Sequence, residues 1–472
     1  MRTLLFLSLS LILFPTSSNA QHNPTSDPKA VLLDSMFHAL YQAGQVNGNV
    51  LIAEKGQILY ENSFGLANEA DSIPLNLETM FELASVSKQF TAMGIVQLRK
   101  AGKLSLQDDI RDHLPELDHY EGITIQHLLT HTSGLPDYMD LAEEHWDRTR
   151  IATNEDIIAL FQEHQPEIEF EPNSSWAYSN TGYLLLGSIM ERVSGQSFGD
   201  YLSETIFEPL EMDRTIVYRR RYQPEDIDNY ADGYLYSPVS EQKFIPDELG
   251  PQFYVVYLDG IVGDGMVNST LHDLLKWDRA LHGNSLVTDE EKELIFASYP
   301  IDSGEETDYG FGWGISETDE YQTVVSHSGG WAGYITYIER HLDTDKTIIM
   351  LQNNSTPETE IPIKHTRRIL YGQPLESAVV LEVAILERYA GTYVSESGKE
   401  RELSIEDGKL WLPMNEEVNL ELVPVSEVKF IVDGFSPEVT LTFRLNAEEE
   451  PTGYRLQQQE TGVDQIVVRK EE

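Results

Sequence analysis

The sequence predicts an α+β domain followed by a small all-β domain. Residues 30 to 370 mix helical and strand patterns, whereas residues 385 to 472 alternate apolar and polar side chains with the period of two typical of strands. Strand patterns stand near both ends of the first segment, with helical patterns between them, which favours one antiparallel sheet covered by helices. A chain of 472 residues is long enough for a sizeable core in each part.

The first twenty residues are typical of a secretory signal. Arg2 precedes the apolar run LLFLSLSLILF, and the small polar stretch TSSNA precedes Gln21. Serines interrupt the run and Pro15 ends it, so it is shorter than the roughly 18 apolar residues of a membrane-spanning helix. We therefore expect cleavage after Ala20 and an exported protein, periplasmic or extracellular, with no membrane attachment after cleavage.

Composition excludes several kinds of function. The chain has no cysteine, so disulfides, thiol catalysis and thiolate metal ligation are all excluded. With 79 acidic and 33 basic residues, the formal net charge is -46, which should repel nucleic acid and anionic lipid. The acidic residues are dispersed along the chain, as on a solvated surface. The expected partner is a small-molecule or peptide substrate.

The first segment begins with a hairpin and continues with helices. NVLIAEKG and QILYENSFG, within residues 49 to 66, meet at a turn near Lys55 and Gly56. Apolar residues then recur at helical spacing in SVSKQFTAMGIVQLRKAG, where Gly102 is placed to end a buried helix, and again in WAYSNTGYLLLGSIMERVSG. Further on, TVVSHSG, WAGYITYIER and KTIIMLQNN predict consecutive strands, which would join the hairpin in one antiparallel sheet.

The C-terminal segment is predicted to be a small antiparallel barrel or sandwich. RELSIEDGKLWLP, VNLELVPV, VKFIVDGF and VTLTFRL alternate in period two, with turns at Asp407-Gly408 and Asp433-Gly434. The predicted organisation is therefore a signal peptide at 1–20, a first domain at 21–370, a linker at 371–384 and an all-β domain at 385–472.

Ser85 and Lys88 form the first candidate catalytic pair. They stand three residues apart at the start of the buried helix, so their side chains share one face. The serine hydroxyl would lie at the positive end of the helix dipole, and burial would disfavour the charged form of the lysine, which could then accept a proton. The alternative is that Ser85 only caps the helix and Lys88 is solvated. The same spacing recurs without a buried helix at Ser26 with Lys29, Ser240 with Lys243, and Ser426 with Lys429.

Tyr178 and Asn180 form a second candidate pair at the entrance of the next amphipathic helix. A tyrosine there could relay protons beside a lysine, and the asparagine could hydrogen-bond a substrate carbonyl or amide. The alternative is that Asn180 is an ordinary N-cap. Tyr60 and Asn62 show the same spacing in a predicted strand, where nothing indicates catalysis.

His327, Gly329 and Gly330 lie at the end of a predicted strand. Paired glycines in a sheet allow another backbone or a substrate to approach closely, so this edge is a candidate substrate-binding surface. The alternative is a glycine-rich turn between two strands. Ser328 in SHSGG resembles a nucleophile elbow, but the first glycine of that motif is missing and the flanking strands are predicted to be antiparallel.

The motifs SVSK, YSN and HSG, in this order, resemble those of the penicillin-recognising serine hydrolases, especially the group of class C β-lactamases, D-aminopeptidases and carboxylesterases. The likeness extends through FELASVSKQFTAMGIVQL, ITIQHLLTHTSGLPDY, IFEPLEMDRT, YGFGWGI and HSGGWAGY, and so covers nearly all of residues 30 to 355. It implies a β-lactamase/DD-peptidase-like fold, with a helix-flanked antiparallel sheet and a mostly helical lobe. The all-β segment resembles the lipocalin-like modules attached to some of these peptidases.

The resemblance also implies a role for each matching residue. Ser85 would attack the substrate and become acylated, while Lys88 and Tyr178 would exchange its proton. The other implied roles are substrate binding by Asn180, His327 and Gly329, and stabilisation of the oxyanion by the backbone N–H groups of Ser85 and Gly330. No cofactor and no metal is implied.

The histidine of the third motif bears on the substrate. Penicillin-directed members carry a lysine there, whereas His327 is expected to be mostly neutral near pH 7, so a fixed positive charge for a substrate carboxylate is lost. We therefore expect hydrolysis of an amide or ester through an acyl-enzyme, as in D-aminopeptidase-like peptidases and esterases. The alternatives are a β-lactamase or DD-carboxypeptidase, and a non-catalytic protein that binds or senses cell-wall peptides.

A metal site is a further alternative. His127 and His131 stand four residues apart in HLLTH, the spacing of a zinc-protease helix. The glutamate that would act as the base in such a helix is missing, because Leu128 occupies its position. The sequence therefore does not favour a metalloenzyme.

Overall fold

A computed structural model describes residues 27–374, 379–395, 398–414, 419–432, 439–448, 450–458 and 463–470. The chain divides into two compact units after Ile363. The predicted signal peptide at 1–20 lies outside the described residues, and the predicted limits at 370, 371–384 and 385 stay predictions. Within the described part of the chain, none of the helices has the length and apolar character needed to span a membrane.

The first unit combines strands with many helices. The strands are β1 (Gly48–Glu54), β2 (Gln57–Phe64), β3 (Leu66–Asn68), β4 (Ile73–Pro74), β5 (Phe81–Glu82), β6 (Ile216–Val217), β7 (Tyr234–Ser237), β8 (Gln242–Phe244), β9 (Val267–Ser269), β10 (Gly314–Thr318), β11 (Gln322–Trp331), β12 (Tyr334–His341), β13 (Lys346–Gln352) and β14 (Asn354–Ser355). The α-helices are α1 (Pro28–Gln42), α2 (Lys88–Lys100), α3 (Ile125–Leu129), α4 (Tyr138–His145), α5 (Asn154–His164), α6 (Asn180–Ser194), α7 (Phe198–Leu202), α8 (Tyr254–Tyr257), α9 (Leu271–His282) and α10 (Asp289–Ile295). Short 3₁₀ helices cover Ala84–Ser87, Ile110–Asp112, Pro115–Leu117 and Pro246–Leu249, and a π-helical turn covers Ser203–Phe207.

The central sheet of the first unit has six strands in the order β10-β11-β12-β13-β1-β2. Every neighbouring pair is antiparallel. The early hairpin turns at Lys55 and Gly56, whose φ angles of 51° and 71° suit the tight turn between two strands. β1 then pairs with β13, from Gly48 opposite Gln352 to Glu54 opposite Lys346. The predicted joining of the early hairpin to the late strands is thereby confirmed.

Helices α2, α6 and α9 build the core beside this sheet. Helix α2 packs against α6, and α9 packs against β13 and β1. The rings of Phe90 and Trp277 lie 4.6 Å apart between centroids, and both side chains are fully buried. Gly195, with φ 76°, ends α6 in the left-handed conformation that glycine adopts most readily. The predicted α+β class is confirmed.

The second unit contains a closed barrel of eight strands in chain order. Helix α11 (Ile363–Leu370) begins at the division between the units, and α12 (Val383–Tyr389) precedes the barrel. The barrel strands are β15 (Gly391–Ser395), β16 (Glu400–Glu406), β17 (Lys409–Pro413), β18 (Asn419–Pro424), β19 (Lys429–Val432), β20 (Val439–Leu445), β21 (Pro451–Gln458) and β22 (Val463–Arg469).

Aromatic side chains fill the barrel interior. Tyr389 stacks on Phe443 with ring centroids 4.1 Å apart, and Tyr393 lies 5.1 Å from Tyr454. The expectation of strands almost throughout residues 385 to 472 is wrong at its start, because Val383–Tyr389 is a helix whose Leu386 and Tyr389 join the barrel core. These two residues stand three apart, which suits one helical face. The predicted turn at Asp407-Gly408 is present between β16 and β17, whereas Asp433-Gly434 lies outside the described residues.

Candidate active site

The candidate nucleophile lies on a short turn between a strand and a helix. Strand β5 pairs with β9, and Ala84–Ser87 then form a 3₁₀ turn that leads into α2 at Lys88. Ala84 has φ 49°, a left-handed conformation that non-glycine residues adopt rarely. Ser85 was expected to open the helix and instead precedes it. Residues three apart eclipse one another in a 3₁₀ helix, so Ser85 and Lys88 still face the same side.

Lys88 connects three parts of the site. Its Nζ lies 3.2 Å from Ser85 Oγ, 2.9 Å from Asn180 Oδ1 and 3.0 Å from the backbone oxygen of Asp264. The side chain is fully buried, so the alternative of a solvated surface lysine is wrong. Oγ and Nζ are close enough to exchange a proton directly.

Tyr178 and Asn180 face Lys88 from the start of α6. The N-cap of this helix is Ser179, whose Oγ accepts a hydrogen bond from the Gly182 N–H at 3.2 Å. The alternative that Asn180 is the N-cap is therefore wrong, and its side chain reaches Lys88. The Tyr178 ring centroid lies 5.0 Å from Lys88 Nζ, and 41% of this tyrosine is exposed. The two motifs that are distant in sequence meet at one lysine.

His327 lies on β11 and is held in a defined orientation. Its Nδ1 lies 2.6 Å from the Ser328 carbonyl oxygen and therefore donates, so its Nε2 accepts from the Tyr309 hydroxyl at 2.9 Å. Burial, and then the charge of Lys88, lower the pKa of His327 to about 4. The imidazole is neutral at pH 7, which agrees with the expected loss of a fixed positive charge.

The two glycines after His327 differ in their surroundings. A Cβ on Gly329 would lie 2.2 Å from the Leu83 carbonyl oxygen and 2.2 Å from Thr336 Oγ1, whereas a Cβ on Gly330 would meet nothing within 4 Å. Strand β11 thus passes directly against the turn that carries Ser85, and Gly329 permits that approach. A Cβ at the neighbouring Gly330 would point into open space.

The alternative of a turn at the two glycines is wrong, because Gly329 and Gly330 pair with β12 inside β11. Ser328 pairs with Tyr337 in the same antiparallel ladder. This setting differs from the strand-to-helix turn of a nucleophile elbow.

His127 and His131 have separate partners. In α3 the Nδ1 of His127 accepts a hydrogen bond from the Thr124 N–H at 3.2 Å, which completes a capping box. The Nδ1 of His131 accepts from the Ser179 N–H at 3.0 Å. The described ranges hold no group of three or more histidine, aspartate or glutamate side chains suited to a metal ion.

Three residues of the site have no signal in the sequence patterns. The Tyr309 hydroxyl orients His327, and the backbone oxygen of Asp264 accepts from Lys88. The Asp264 carboxyl accepts from the Tyr138 hydroxyl at 2.9 Å, and burial raises its pKa. The segments YGFGWGI and LPDY contain Tyr309 and Tyr138, but only the folded chain indicates their partners.

A buried charge cluster lies beside the turn that carries Ser85. Glu82 is 5% exposed, and burial together with the neighbouring Asp259 raises its pKa to about 8. Arg221 forms ion pairs with Asp259 at 2.9 Å and with Asp247 at 2.8 Å. These pairs anchor the segment after residue 217 close to the strand that leads into the nucleophile turn.

This helix-covered antiparallel sheet, with Ser85 and Lys88 facing a Tyr-x-Asn motif, defines the class of proteins with the β-lactamase and penicillin-binding-protein fold. The chain belongs to the Beta-lactamase family, whose sequence model matches residues 33–373. The predicted family and fold are confirmed.

Individual relatives cover most of the chain. "Penicillin-binding protein 4*" of Bacillus subtilis (strain 168) is 43% identical over 420 residues, which are 87% of this chain and 93% of that protein. A solved penicillin binding protein from Bacillus halodurans is 28% identical, has a TM-score of 0.59, and covers 68% of this chain and 95% of its own. The octameric penicillin-binding protein homologue from Pyrococcus abyssi is 24% identical, with a TM-score of 0.63, and covers 93% of this chain and 99% of its own. The last likeness concerns the fold and extends over both units.

Proposed function

We propose that this protein is an exported serine hydrolase that cleaves an amide or ester through an acyl-enzyme on Ser85. The observation that carries the proposal is the fully buried Lys88, with Nζ 3.2 Å from Ser85 Oγ. A buried lysine beside a serine hydroxyl is an arrangement that activates a nucleophile. Export rests on the signal-like residues 1–20.

The partners of Lys88 suit a base. A neutral amine has two N–H donors and one lone pair. The donors match the two carbonyl oxygens, Asn180 Oδ1 at 2.9 Å and Asp264 O at 3.0 Å. In the structure Nζ donates to Ser85 Oγ at 3.2 Å, so the lone pair of the neutral amine would face the same hydroxyl. One proton can therefore pass from Ser85 to Lys88 without any rearrangement of the other two contacts.

The proposed reaction has two halves. Ser85 Oγ attacks the substrate carbonyl carbon, and its proton passes to Lys88. The oxyanion is held by the backbone N–H groups of Ser85 and Gly330, a type of contact whose loss costs about 100- to 1000-fold in rate. Tyr178 then gives its proton to the leaving amine or alcohol and regains one from Lys88. The C–N or C–O bond of the substrate breaks, and the acyl-enzyme forms. Water, deprotonated through the same groups, then releases the acid and regenerates Ser85.

A neutral His327 favours a substrate that does not need a carboxylate group bound at this position. Burial and Lys88 lower the pKa of His327 to about 4, so it offers a neutral hydrogen-bonding surface at pH 7. Asn180 and Gly329 complete the proposed substrate contacts. We therefore place a peptide or ester substrate ahead of a β-lactam. The barrel is proposed to be lipocalin-like.

The test is labelling by a serine-directed phosphonate, read by intact-protein mass and peptide mapping. Wild type is expected to gain one adduct on Ser85, and Ser85→Ala none. Ser240→Ala is the matched control, because Ser240 and Lys243 repeat the spacing on an exposed segment, and it should label like wild type. Failure of folded wild type to label and to hydrolyse esters or D-amino amides would favour the non-catalytic binding alternative.

A second candidate function is penicillin recognition, as a β-lactamase or DD-carboxypeptidase. The observation that favours it is the 43% identity to a relative named "Penicillin-binding protein 4*". A fluorescent penicillin distinguishes the two proposals. A stable adduct on Ser85 that blocks phosphonate labelling, or Ser85-dependent hydrolysis of the penicillin, would support this second candidate. Labelling by phosphonate with neither of these would support the first.

A further inference from the structure

Beyond the three motifs, His131 occupies a constrained position at the centre of the site. It follows α3 and is 1% exposed. Its φ of 59° lies in the left-handed region, which is uncommon for histidine. The backbone of this segment is tied to the segment that precedes α6, because the His131 carbonyl accepts from the Ala177 N–H at 3.1 Å and the Thr132 carbonyl accepts from the Asn173 N–H at 2.8 Å. The loop of His131 therefore fixes the loop of Tyr178.

The imidazole adds a contact directly beside Tyr178. Its Nδ1 accepts a hydrogen bond from the Ser179 N–H at 3.0 Å. Its ring lies 4.4 Å from the Tyr178 ring between centroids, with a tilt of 41°. Both the backbone on one side of Tyr178 and the face of its ring are therefore held by one side chain.

The same ring also contacts the other side of the cleft. Ring centroids lie 4.6 Å from Tyr309, which orients His327, and 5.2 Å from Tyr183. Trp176 meets the imidazole edge-on at 6.1 Å. Four aromatic rings therefore surround the imidazole and limit the positions that it can take.

Only one protonation state fits these contacts. Burial, and then the charge of Lys88, lower the pKa of His131 well below its ordinary value. A proton on Nδ1 would remove the acceptor for the Ser179 N–H. With Nδ1 as acceptor, the proton of the neutral imidazole is on Nε2, which meets no hydrogen-bond partner in the part of the chain that the structure describes. The Nε2–H group lies among aromatic rings, which accept N–H groups weakly.

We propose that His131 is the positioning residue for Tyr178, acting mainly through the acceptor Nδ1 that holds the Ser179 N–H. This inference rests on the proposed function, since it assigns Tyr178 the return of the proton. His131 touches neither substrate nor Ser85 in this role. It holds the Tyr178 ring beside Lys88, whose Nζ lies 5.0 Å from the ring centroid.

Two amide substitutions separate the hydrogen bond from simple packing. Asparagine places an amide oxygen where Nδ1 stood, whereas glutamine places its amide where Nε2 stood. His131→Asn is expected to keep kcat within about threefold of wild type. His131→Gln leaves the Ser179 N–H unpaired and should lower kcat by about 10- to 100-fold with little change in KM, because a misplacement of about 1 Å at a catalytic group costs about that much.

The experiment measures kcat and KM for both variants on the best ester or amide substrate, with circular dichroism as the folding control. Higher kcat in the asparagine variant supports the proposal. Equal kcat values, or a higher value in the glutamine variant, would overturn it. If the glutamine variant does not fold, the asparagine variant alone decides, since a 10-fold loss of kcat there also contradicts the proposal. Absence of a Ser85 adduct in wild type would instead refute the proposed function itself.

Discussion

Gly329→Ala tests whether strand β11 sets the position of the proposed nucleophile. The added Cβ would lie 2.2 Å from the Leu83 oxygen and 2.2 Å from Thr336 Oγ1. An ordinary contact is about 3.5 Å, so these atoms must separate by roughly 1 Å. Thr336 Oγ1 also donates to the Leu83 oxygen at 2.7 Å, and both residues are fully buried. Neither atom can move without disturbing the other.

The expected cost has two parts. Overpacking a buried site costs about 1–3 kcal/mol. Displacing Thr336 from its buried acceptor adds about 1–3 kcal/mol. The free energy of unfolding should therefore fall by about 2–6 kcal/mol. Leu83 stands two residues before Ser85, so a shift of about 1 Å there should also lower kcat by about 100-fold.

Urea unfolding followed by tryptophan fluorescence measures the first effect. Five of the six tryptophans belong to the first unit, so the signal reports mainly on that unit. Gly330→Ala is the matched control for stability, because its Cβ meets nothing within 4 Å, and its free energy of unfolding should stay within about 0.5 kcal/mol of wild type. The reasoning is refuted if Gly329→Ala is as stable as Gly330→Ala and retains wild-type kcat.

Three other substitutions have defined outcomes. Asp278→Ala should lower the free energy of unfolding, measured in urea, by about 3–5 kcal/mol. In wild type the buried Arg340 donates to Asp278 Oδ1 at 2.6 Å, and the substitution removes this carboxylate. The pKa of His327 is lowered from 6.5 to about 4, so between these pH values the unfolded chain binds a proton at His327 and the folded chain does not. As pH falls through this range, the free energy of unfolding of wild type should decrease by up to about 3 kcal/mol, and that of His327→Gln should decrease less. Asn180→Asp places a carboxylate 2.9 Å from Lys88 Nζ, favours the ammonium, and should lower kcat by about 100-fold at pH 7.

Much of the fold could be predicted because its signals are local. The hairpin at Lys55 and Gly56 combines a turn residue with two alternating strands, and both residues adopt positive φ. The barrel strands alternate in period two, and Asp407-Gly408 forms the same kind of turn. Patterns within one element are sufficient for these features, and no distant contact is needed to interpret them.

The turn at the proposed nucleophile could not be predicted in the same way. Ala84 adopts φ 49°, yet alanine carries no preference for the left-handed region. The conformation is imposed by the pairing of β5 with β9 on one side and by the start of α2 on the other. A helix beginning at Ser85 was therefore the simplest interpretation of the sequence, although the helix begins at Lys88.

Most partners of the candidate site are distant in sequence. Asn180 lies 92 residues from Lys88, and Asp264 lies 176 residues away. The motifs themselves were visible, but spacing within a helix or strand says nothing about which motifs meet. Tyr309 opens the segment YGFGWGI, but its role beside His327 follows only from the 2.9 Å contact of the folded chain.

The two buried imidazoles limit how charge can develop in the cleft. Burial lowers the pKa of both His131 and His327, and the charge of Lys88 lowers each of them further. Both rings therefore stay neutral, and each is fixed by a hydrogen bond that its protonation would disrupt: His131 accepts from Ser179, and His327 accepts from Tyr309. Neither of these two imidazoles would therefore accept a proton taken from Ser85. In the proposed reaction, Lys88 gains its proton as the oxyanion forms, close to the buried carboxyl group of Asp264, with which Lys88 interacts electrostatically. We therefore expect proton transfer and attack on the carbonyl to be coupled.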